Sequence, residues 1–556
     1  MPGDRVSKQV LMRVVPHTSV DGEQWQRIGY GITSGAGAAD GTTVVAASFT
    51  SGGADGYNGR YYVEILSGTC KGQMKRIVDD NGSGTYTIEN NGFSAQIGAS
   101  VIFSIWKSPE PVIVVDGALD ANNFNDDYRD ENDIDWVGYY VMPITGSCRG
   151  EIRQVSLFEK TGGASEGLFT VSPAFSTSLA AGDVCLLGRF FEVDVTALPG
   201  GPDYHPRPIN RVNYSVGAGV TGARGVDFAF NVRPHGTGSL TASGSAVGHS
   251  DMHALFTAAG LDERLGTSST VGAGSTTTAV AVATGSWENH QAGDIVMHNG
   301  NARRVTALTD GGAGVDTITV APPLPVAPTS GDTLYALATY YKSADATTLY
   351  GCVIEVEIDG VRTTMTGCKG TLEPQATTPA EFAFSFKCDH WIREYEDAPY
   401  NPGTAYSSQG DILGKDMMAW ADSTQIDIKG FAAQIGRETI AREVTGAYGI
   451  NGRAGFHHIN YACGASYREI MADGAELEAE NRYLAGTDRA LFVQCGASSD
   501  AFCIAIPVAH HVGAATPDPS SGLLEAPNVL AALDAGTYTD PDGTITKVPD
   551  WILGIS

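Results

Sequence analysis

Basic residues are scarce in this chain: 35 Lys and Arg stand against 63 Asp and Glu, a formal net charge of −28 over 556 residues. A protein this acidic does not hold nucleic acid by neutralising phosphates. It can still border DNA and repel it, which is a different task. Charged residues as a whole are few, 18% against the roughly 25% of an average globular chain. No apolar run reaches the ~18 residues of a membrane-spanning helix. The opening MPGDRVSKQVLMRVV has no apolar core of a secretory signal, so export by that route is not expected. Nine cysteines are dispersed without a CxxC pair, and they read as reduced, mostly buried thiols.

Catalytic signatures are missing as well. No HExxH occurs. The segment GDILGKD (410–416) is one residue short of a phosphate loop, and Asp416 stands where Ser or Thr would hold magnesium. His457-His458 and His510-His511 are adjacent pairs; neighbours on a strand face opposite sides, so neither pair chelates well. The stretch DANNFNDDYRDENDID (120–135) could offer Asp126, Asp130 and Asp133 to calcium. It lacks the Gly and terminal Glu of an EF-hand loop and reads as a solvated acidic loop. Glu355 and Glu357 are near enough for a glycosidase pair, but such pairs usually come from different elements of a cleft. The expectation is a non-enzymatic protein with no catalytic residue, metal ligand or cofactor.

What the chain does have is Gly, 69 residues of it, with abundant Thr, Ser, Ala and Val and 42% hydrophobic residues. That mix favours strands and tight turns, and the length allows about four domains. Two segments repeat: YYVEILSGTCKGQMKRI from 61 and YYVMPITGSCRGEIRQV from 139. Each unit closes on a Gly followed by an apolar strand, IGASVIFSI at 97–105 and AGDVCLLG at 181–188. A weaker third copy over about 268–338 carries GNARRV and closes with SGDTLYAL. Three small β modules of one type are expected, with the shared residues at turns and strand starts.

The third module interrupts another domain. Before it lies VDFAFNVRPHGTGSL (226–240), where Phe228, Phe230 and Val232 alternate with polar residues. After it, Cys352, Ile354, Val356 and Ile358 face one way and Glu355, Glu357 and Asp359 the other, with Asp359-Gly360 as a hairpin turn. Phe382, Phe384 and Phe386 alternate in EFAFSF. Helices are few. One is expected over 249–260, with Ser250 as N-cap, a stripe of Met252, Leu255, Phe256 and Ala259, and Gly260 at C′. A second is expected from Ser466, with Glu469 completing a capping box. The join EDAPYNPGTAY (396–406) reads as a linker. Beyond it STQIDIKGF, RALFVQCG and AFCIAIPVA are strand-like.

From about 191 to 556 the ordered landmarks resemble the major tail tube proteins of long, non-contractile-tailed phages. They are FAFNVRPHGTGSL with MHALFTAAGL, then VIEVEIDGVRTTMTGCKGTLE, FAFSFKC, DAPYNP, IDIKGFAAQIGRETIAREVTGAYGI, FCIAIPVAHHV and SGLLEAPNVLAAL. The match covers roughly two thirds of the chain and rests on order, since no single motif is diagnostic. It implies a mainly β chain: two tail-tube-type β-sandwich or barrel folds, each with a flanking helix, plus three small β-barrel or sandwich-like modules. The corresponding division is an N-terminal arm at 1–30, modules at 31–107 and 108–190, and tube domain one at 191–267 and 339–395. The third module falls at 268–338 and tube domain two at 396–556.

The resemblance further implies stacked rings of the chain itself, trimeric with pseudo-sixfold symmetry or alternatively hexameric. Tape measure protein and tail terminator or baseplate proteins would be its partners. Genomic DNA would pass through the lumen without specific binding. The place would be the virion tail, assembled in the host cytoplasm, with no membrane. Glu355, Glu357 and Asp359 are the candidate acidic face of the lumen, and an exposed outer sheet face is the alternative. A tail terminator, baseplate hub or decoration protein is the competing function. A carbohydrate-binding tail spike is weaker, because regular β-helix repeats and a Trp cluster are both missing.

Overall fold

The computed structural model describes residues 10–17, 24–51, 53, 56–89, 92–127, 136–159, 167–200, 202–207, 217–224, 226–236, 240–312, 314–343, 349–358, 361–376, 379–395, 412, 417–443, 453–470, 483–512 and 525–556. The fold is mainly β, with antiparallel pairing among the described strands; the α-helix His253–Ala258 has six residues. The 396–406 join lies outside the described residues, as does all of 410–416 except Ile412.

The three repeats share one connectivity. The first consists of Gln26–Ile32, Thr43–Val45, Tyr61–Ile65, Met74–Asp80, Thr85–Ile88 and Ile102–Lys107, in the spatial order 1-6-3-4-5-2. The third, from Ser269–Thr270 to Thr333–Ala336, has the same order. So does the second, from Val112–Val114 through Asn123–Asn125, Tyr140–Pro143, Arg153–Glu159 and Leu168–Ser172 to Val184–Ala197. Backbone hydrogen bonds carry each sheet round from its first strand region to its second. They are Ser34 N to Val45 O, Asp116 N to Asn125 O and Gly272 N to Ala281 O, at 2.9, 2.9 and 2.7 Å.

A β-bulge recurs at the aligned residues Ile77, Val155 and Val305. Such bulges re-aim a strand and bend the sheet, so their repetition means the three units curve at one place. The aligned Gly72, Gly150 and Gly300 have φ of 86°, 83° and 75° in the turn between the third and fourth strands, which only glycine adopts without strain. The Cys-basic-Gly step serves this turn: the Cys70 thiol donates to Ala95 O at 3.4 Å and Cys148 to Thr177 O at 3.1 Å.

A second kind of barrel occupies the centre of the chain. Val10–Pro16 pairs with Val184–Ala197 on one side and Cys352–Ile358 on the other. Val184–Ala197 continues to Asp227–Val232, which pairs with Glu381–Lys387. That strand reaches Val361–Ala376, and the circuit returns to Cys352–Ile358. Six strands thus close without a free edge. Met12, Val14, Phe191, Phe228, Phe230, Ile354, Val356, Met365, Phe384 and Phe386 belong to its buried core, so the interior is solid.

Two expectations are corrected here. Within the expected N-terminal arm at 1–30, Val10–Pro16 is a stave of this barrel and Gln26–Ile32 is the first strand of the first module. Ser466 does not begin a helix: Ser466 and Glu469 lie in the 18-residue strand Arg453–Ile470, paired on both sides. The local capping pattern is overridden by ladders to Ile428–Glu443 and Glu525–Ala532, with Cys463, Ala465 and Tyr467 alternating inward. The expected helix over 249–260 is shorter, with Met252 in place of Ser250 at the N-cap, though Ser250 Oγ still accepts from Met252 N at 3.2 Å. Its stripe of Met252, Leu255, Phe256 and Ala259 is fully buried, and Gly260 takes φ of 91°.

The C-terminal half is an open sheet joined edge to edge to the barrel. Leu372, Gln375 and Ala376 of the barrel pair with Ile435, Ala432 and Phe431. One hydrophobic core runs through both halves, from Met12 to Ile555. The third module enters and leaves through a neck in which Leu261–Leu265 pairs with Ala338–Lys342. It rests on the C-terminal half: Ile295, Met297 and Ala302 pack with Trp420, Phe492 and Cys503, and Gln494 Oε1 accepts from Ala302 N at 2.9 Å.

Candidate functional site

Of the acidic face expected at Glu355, Glu357 and Asp359, Glu355 points outward from the barrel and is covered by the first two modules. Cys352, Ile354 and Val356 point into the barrel, while Val353 on the opposite face joins the core of the second module with Val15. Glu355 follows Val353 on that face, and its side chain is 0% exposed. Glu357 is half-buried, and Asp359 lies outside the described residues. The Glu355 carboxylate therefore offers no charge to a channel wall in this chain.

Glu355 instead belongs to a buried ring of alternating charge. Arg13 Nε donates to Glu355 Oε1 at 3.2 Å, and Arg13 Nη2 reaches Glu355 Oε2 at 3.1 Å and Glu110 Oε1 at 2.5 Å. The other oxygen of Glu110 accepts from Arg76 Nη2. Arg76 Nε donates to Glu89 Oε2 at 3.0 Å, and Arg362 Nη2 donates to Glu89 Oε1. Arg362 Nε lies 3.9 Å from Glu355 Oε2, which completes the circuit. Thr364 Oγ1 donates to Glu355 at 2.9 Å, and Glu394 adds links to Arg362 and Lys75 at 3.1 Å each.

Three arginines and three glutamates balance, none more than 3% exposed at the side chain. Burial works against ionisation of Glu89, yet Arg362 and Arg76 outweigh it and hold its carboxyl below the ordinary value. The ring draws one arginine from the N-terminal strand, a pair from the first module, Glu110 from the connection to the second, and Glu355 and Arg362 from the barrel hairpin. It fastens the module to the barrel.

The other residues weighed from the sequence are dispersed. His458 and His511 are buried while His457 and His510 are not, the alternation expected of strands. His510 Nδ1 lies 2.7 Å from Asp488. Asp126 is not part of a solvated loop: it is fully buried, accepting from Arg60 Nη2 at 2.7 and 2.9 Å and from Val114 N at 3.0 Å. Asp130 and Asp133 lie outside the described residues.

A cluster that sequence reasoning missed stands at the start of the helix. His249 Nδ1 contacts Glu263 Oε2, and His253 Nδ1 lies 3.1 Å from the same oxygen. The Tyr340 hydroxyl donates to the other oxygen, Oε1. Burial opposes ionisation of Glu263, but its contacts with His249 and His253 prevail and lower its carboxyl to about 2. The available signal is the four-residue spacing of His249 and His253 at a predicted helix start.

No family model matches this chain, and no curated protein matches it.

Proposed function

We propose that this chain is the repeating subunit of a phage tail tube, a structural and non-enzymatic protein of the virion tail. The observation that carries the reading is the edge-to-edge joint between barrel and open sheet at Leu372↔Ile435, Gln375↔Ala432 and Ala376↔Phe431. Two β units in one chain are already joined as neighbouring units of a tube wall would be. Among the described residues Leu261–Leu265, His390–Tyr395 and Thr424–Ile426 each have one paired strand neighbour, so edges remain for a further joint.

Ring closure by edge pairing removes such edges, and head-to-tail stacking of rings gives an open-ended filament. Three chains with two units each would form a ring of pseudo-sixfold symmetry; six chains are the alternative. The barrel interior is filled, so the conduit lies between chains. With Glu355 engaged internally, repulsion of DNA rests on the remainder of a net charge of −28 and reaches about 8–10 Å at physiological salt. Tape measure and terminator or baseplate proteins would meet the tube inside and at its ends, after assembly in the host cytoplasm.

The modules favour a second reading within the same class. The strand Gln26–Ile32 presents Ile28, Tyr30 and Ile32 outward at 40, 58 and 56% exposure. An apolar stripe on an edge strand suits a contact between virion components, as a baseplate hub, terminator or decoration protein would make. Sedimentation of the purified chain over a concentration series tests the first reading. Growth into rings and higher stacks is expected, and a monomer at every concentration would move the assignment to a decoration role.

A further inference from the structure

We propose that His249, His253 and Glu263 form a binding site for a divalent transition-metal ion of the zinc class, with solvent as a fourth ligand. The observation is geometric. The three ligand atoms all lie within 4.8 Å of one another, and both imidazole nitrogens converge on a single carboxylate oxygen. Ligands around a tetrahedral zinc stand about 2.0–2.2 Å from the ion and therefore roughly 3.3–3.5 Å apart, so small side-chain rotations admit the ion.

Two further features fit a metal better than a simple hydrogen-bonded trio. The His253 Nδ1 is buried and, despite its 3.1 Å approach to Glu263, makes no aligned hydrogen bond. The carboxylate is also oriented from behind: Tyr340, fully buried in the core, donates to Oε1 and leaves Oε2 facing the histidines. An outer hydrogen bond of this kind is what fixes a ligating carboxylate.

The chemistry of the donors selects the ion. Two imidazoles with one carboxylate suit zinc, copper, nickel or ferrous iron, whereas magnesium and calcium require oxygen donors. Access exists, since the His249 side chain is 38% exposed and that of His253 23%, while Glu263 is 6% exposed. Chelation would bind the segment preceding the helix to the strand Leu261–Leu265, at the neck of the third module. Beside it the Arg189–Asp251 ion pair links the strand Val184–Ala197 to the same segment.

The test is a zinc titration of the full chain, first stripped with chelator, in competition with a chromophoric zinc indicator at pH 7.5. One equivalent of zinc is expected to bind. X-ray absorption should show two imidazole nitrogens and oxygen donors at zinc distances. His249→Ala and His253→Ala should each weaken binding at least tenfold, and the double variant should lose the equivalent. Because His249 is partly exposed, His249→Ala is expected to keep the native circular dichroism spectrum, which separates lost ligation from lost folding. No stoichiometric binding by the wild type at 100-fold excess zinc would overturn the proposal. Equal binding by the double variant would also overturn it by placing the zinc elsewhere, with His510 and Asp488 the next candidates.

Discussion

Replacing Arg76 by Met removes one member of the buried ring while keeping most of its length. Arg76 serves Glu89 through Nε at 3.0 Å, Glu110 through Nη2, and Gly59 O through Nη1 at 3.0 Å. Its guanidinium also lies 5.0 Å from the Tyr62 ring centre. Without it, Glu110 keeps Arg13 and Glu89 keeps Arg362, but the cluster holds an uncompensated negative charge. Breaking one side of a buried pair costs about 3–5 kcal/mol, because the orphaned charge can neither reach water nor find a new partner. Removing the opposite charge as well, in Arg76→Met/Glu89→Leu, restores neutrality and should recover a substantial part of that loss. A fully solvated pair would behave differently, with a cost of about 0–1 kcal/mol that salt reduces. Urea denaturation of wild type, the single variants and the double variant at 0.05 and 0.5 M NaCl completes the cycle. The expected result is a large single-variant loss, a coupling of at least about 2 kcal/mol, and little dependence on salt. A single-variant loss below about 1 kcal/mol, or one that vanishes in salt, would refute the closed ring as a fastening.

Stability should fall on mild acidification through His17. Its Nδ1 faces Pro109 O at 3.1 Å and its Nε2 accepts from Gly367 N at 3.1 Å, which fixes a neutral imidazole; burial lowers its pKa from 6.5 to about 4. The unfolded state takes up the proton first as pH drops, so the contribution is full above pH 6.5 and is lost toward pH 4, on the order of 3 kcal/mol. Asp294, raised by burial to about 6, has the opposite sign between its ordinary value and pH 6. Urea midpoints against pH for His17→Asn should therefore show a flatter slope between 6.5 and 4 than the wild type; an unchanged slope would exclude His17. Gly146→Ala should destabilise more than the aligned Gly68→Ala. Both positions have positive φ, 74° and 80°, but a Cβ at 146 would stand 2.4 Å from the Asp183 carboxylate, against 3.2 Å from Val101 at 68. Thermal unfolding should show about 1 kcal/mol for Gly68→Ala and about 1–2 kcal/mol more for Gly146→Ala. All nine cysteines are buried and none forms a disulfide, so a thiol reagent should label none in the native chain and nine after denaturation.

The sequence was most informative where periodicity and burial agree. Phe228, Phe230 and Val232, and Phe382, Phe384 and Phe386, alternate in sequence and are buried together in one barrel wall. The repeat was legible because its turns need particular residues, and the shared strand order and bulge agree with it. What could not be read was long-range pairing. Val10–Pro16 carries no signal that it closes a barrel with strands some 180 and 340 residues away. Ser466 and Glu469 satisfy a local capping rule that two flanking strands override. Alternation along the strand sets Glu355 opposite Ile354 and Val356, but nothing local reveals that Arg13, Arg362 and a whole module lie against it. His249, His253 and Glu263 likewise meet only because the chain turns back after Gly260.

Electron microscopy of the purified full chain over a concentration series tests the tube assignment most directly. Hollow rings or tubes with threefold or sixfold end views are expected, in which the closed barrels form the wall around a channel between chains. A stable monomer that forms neither rings nor tubes at any concentration would contradict it.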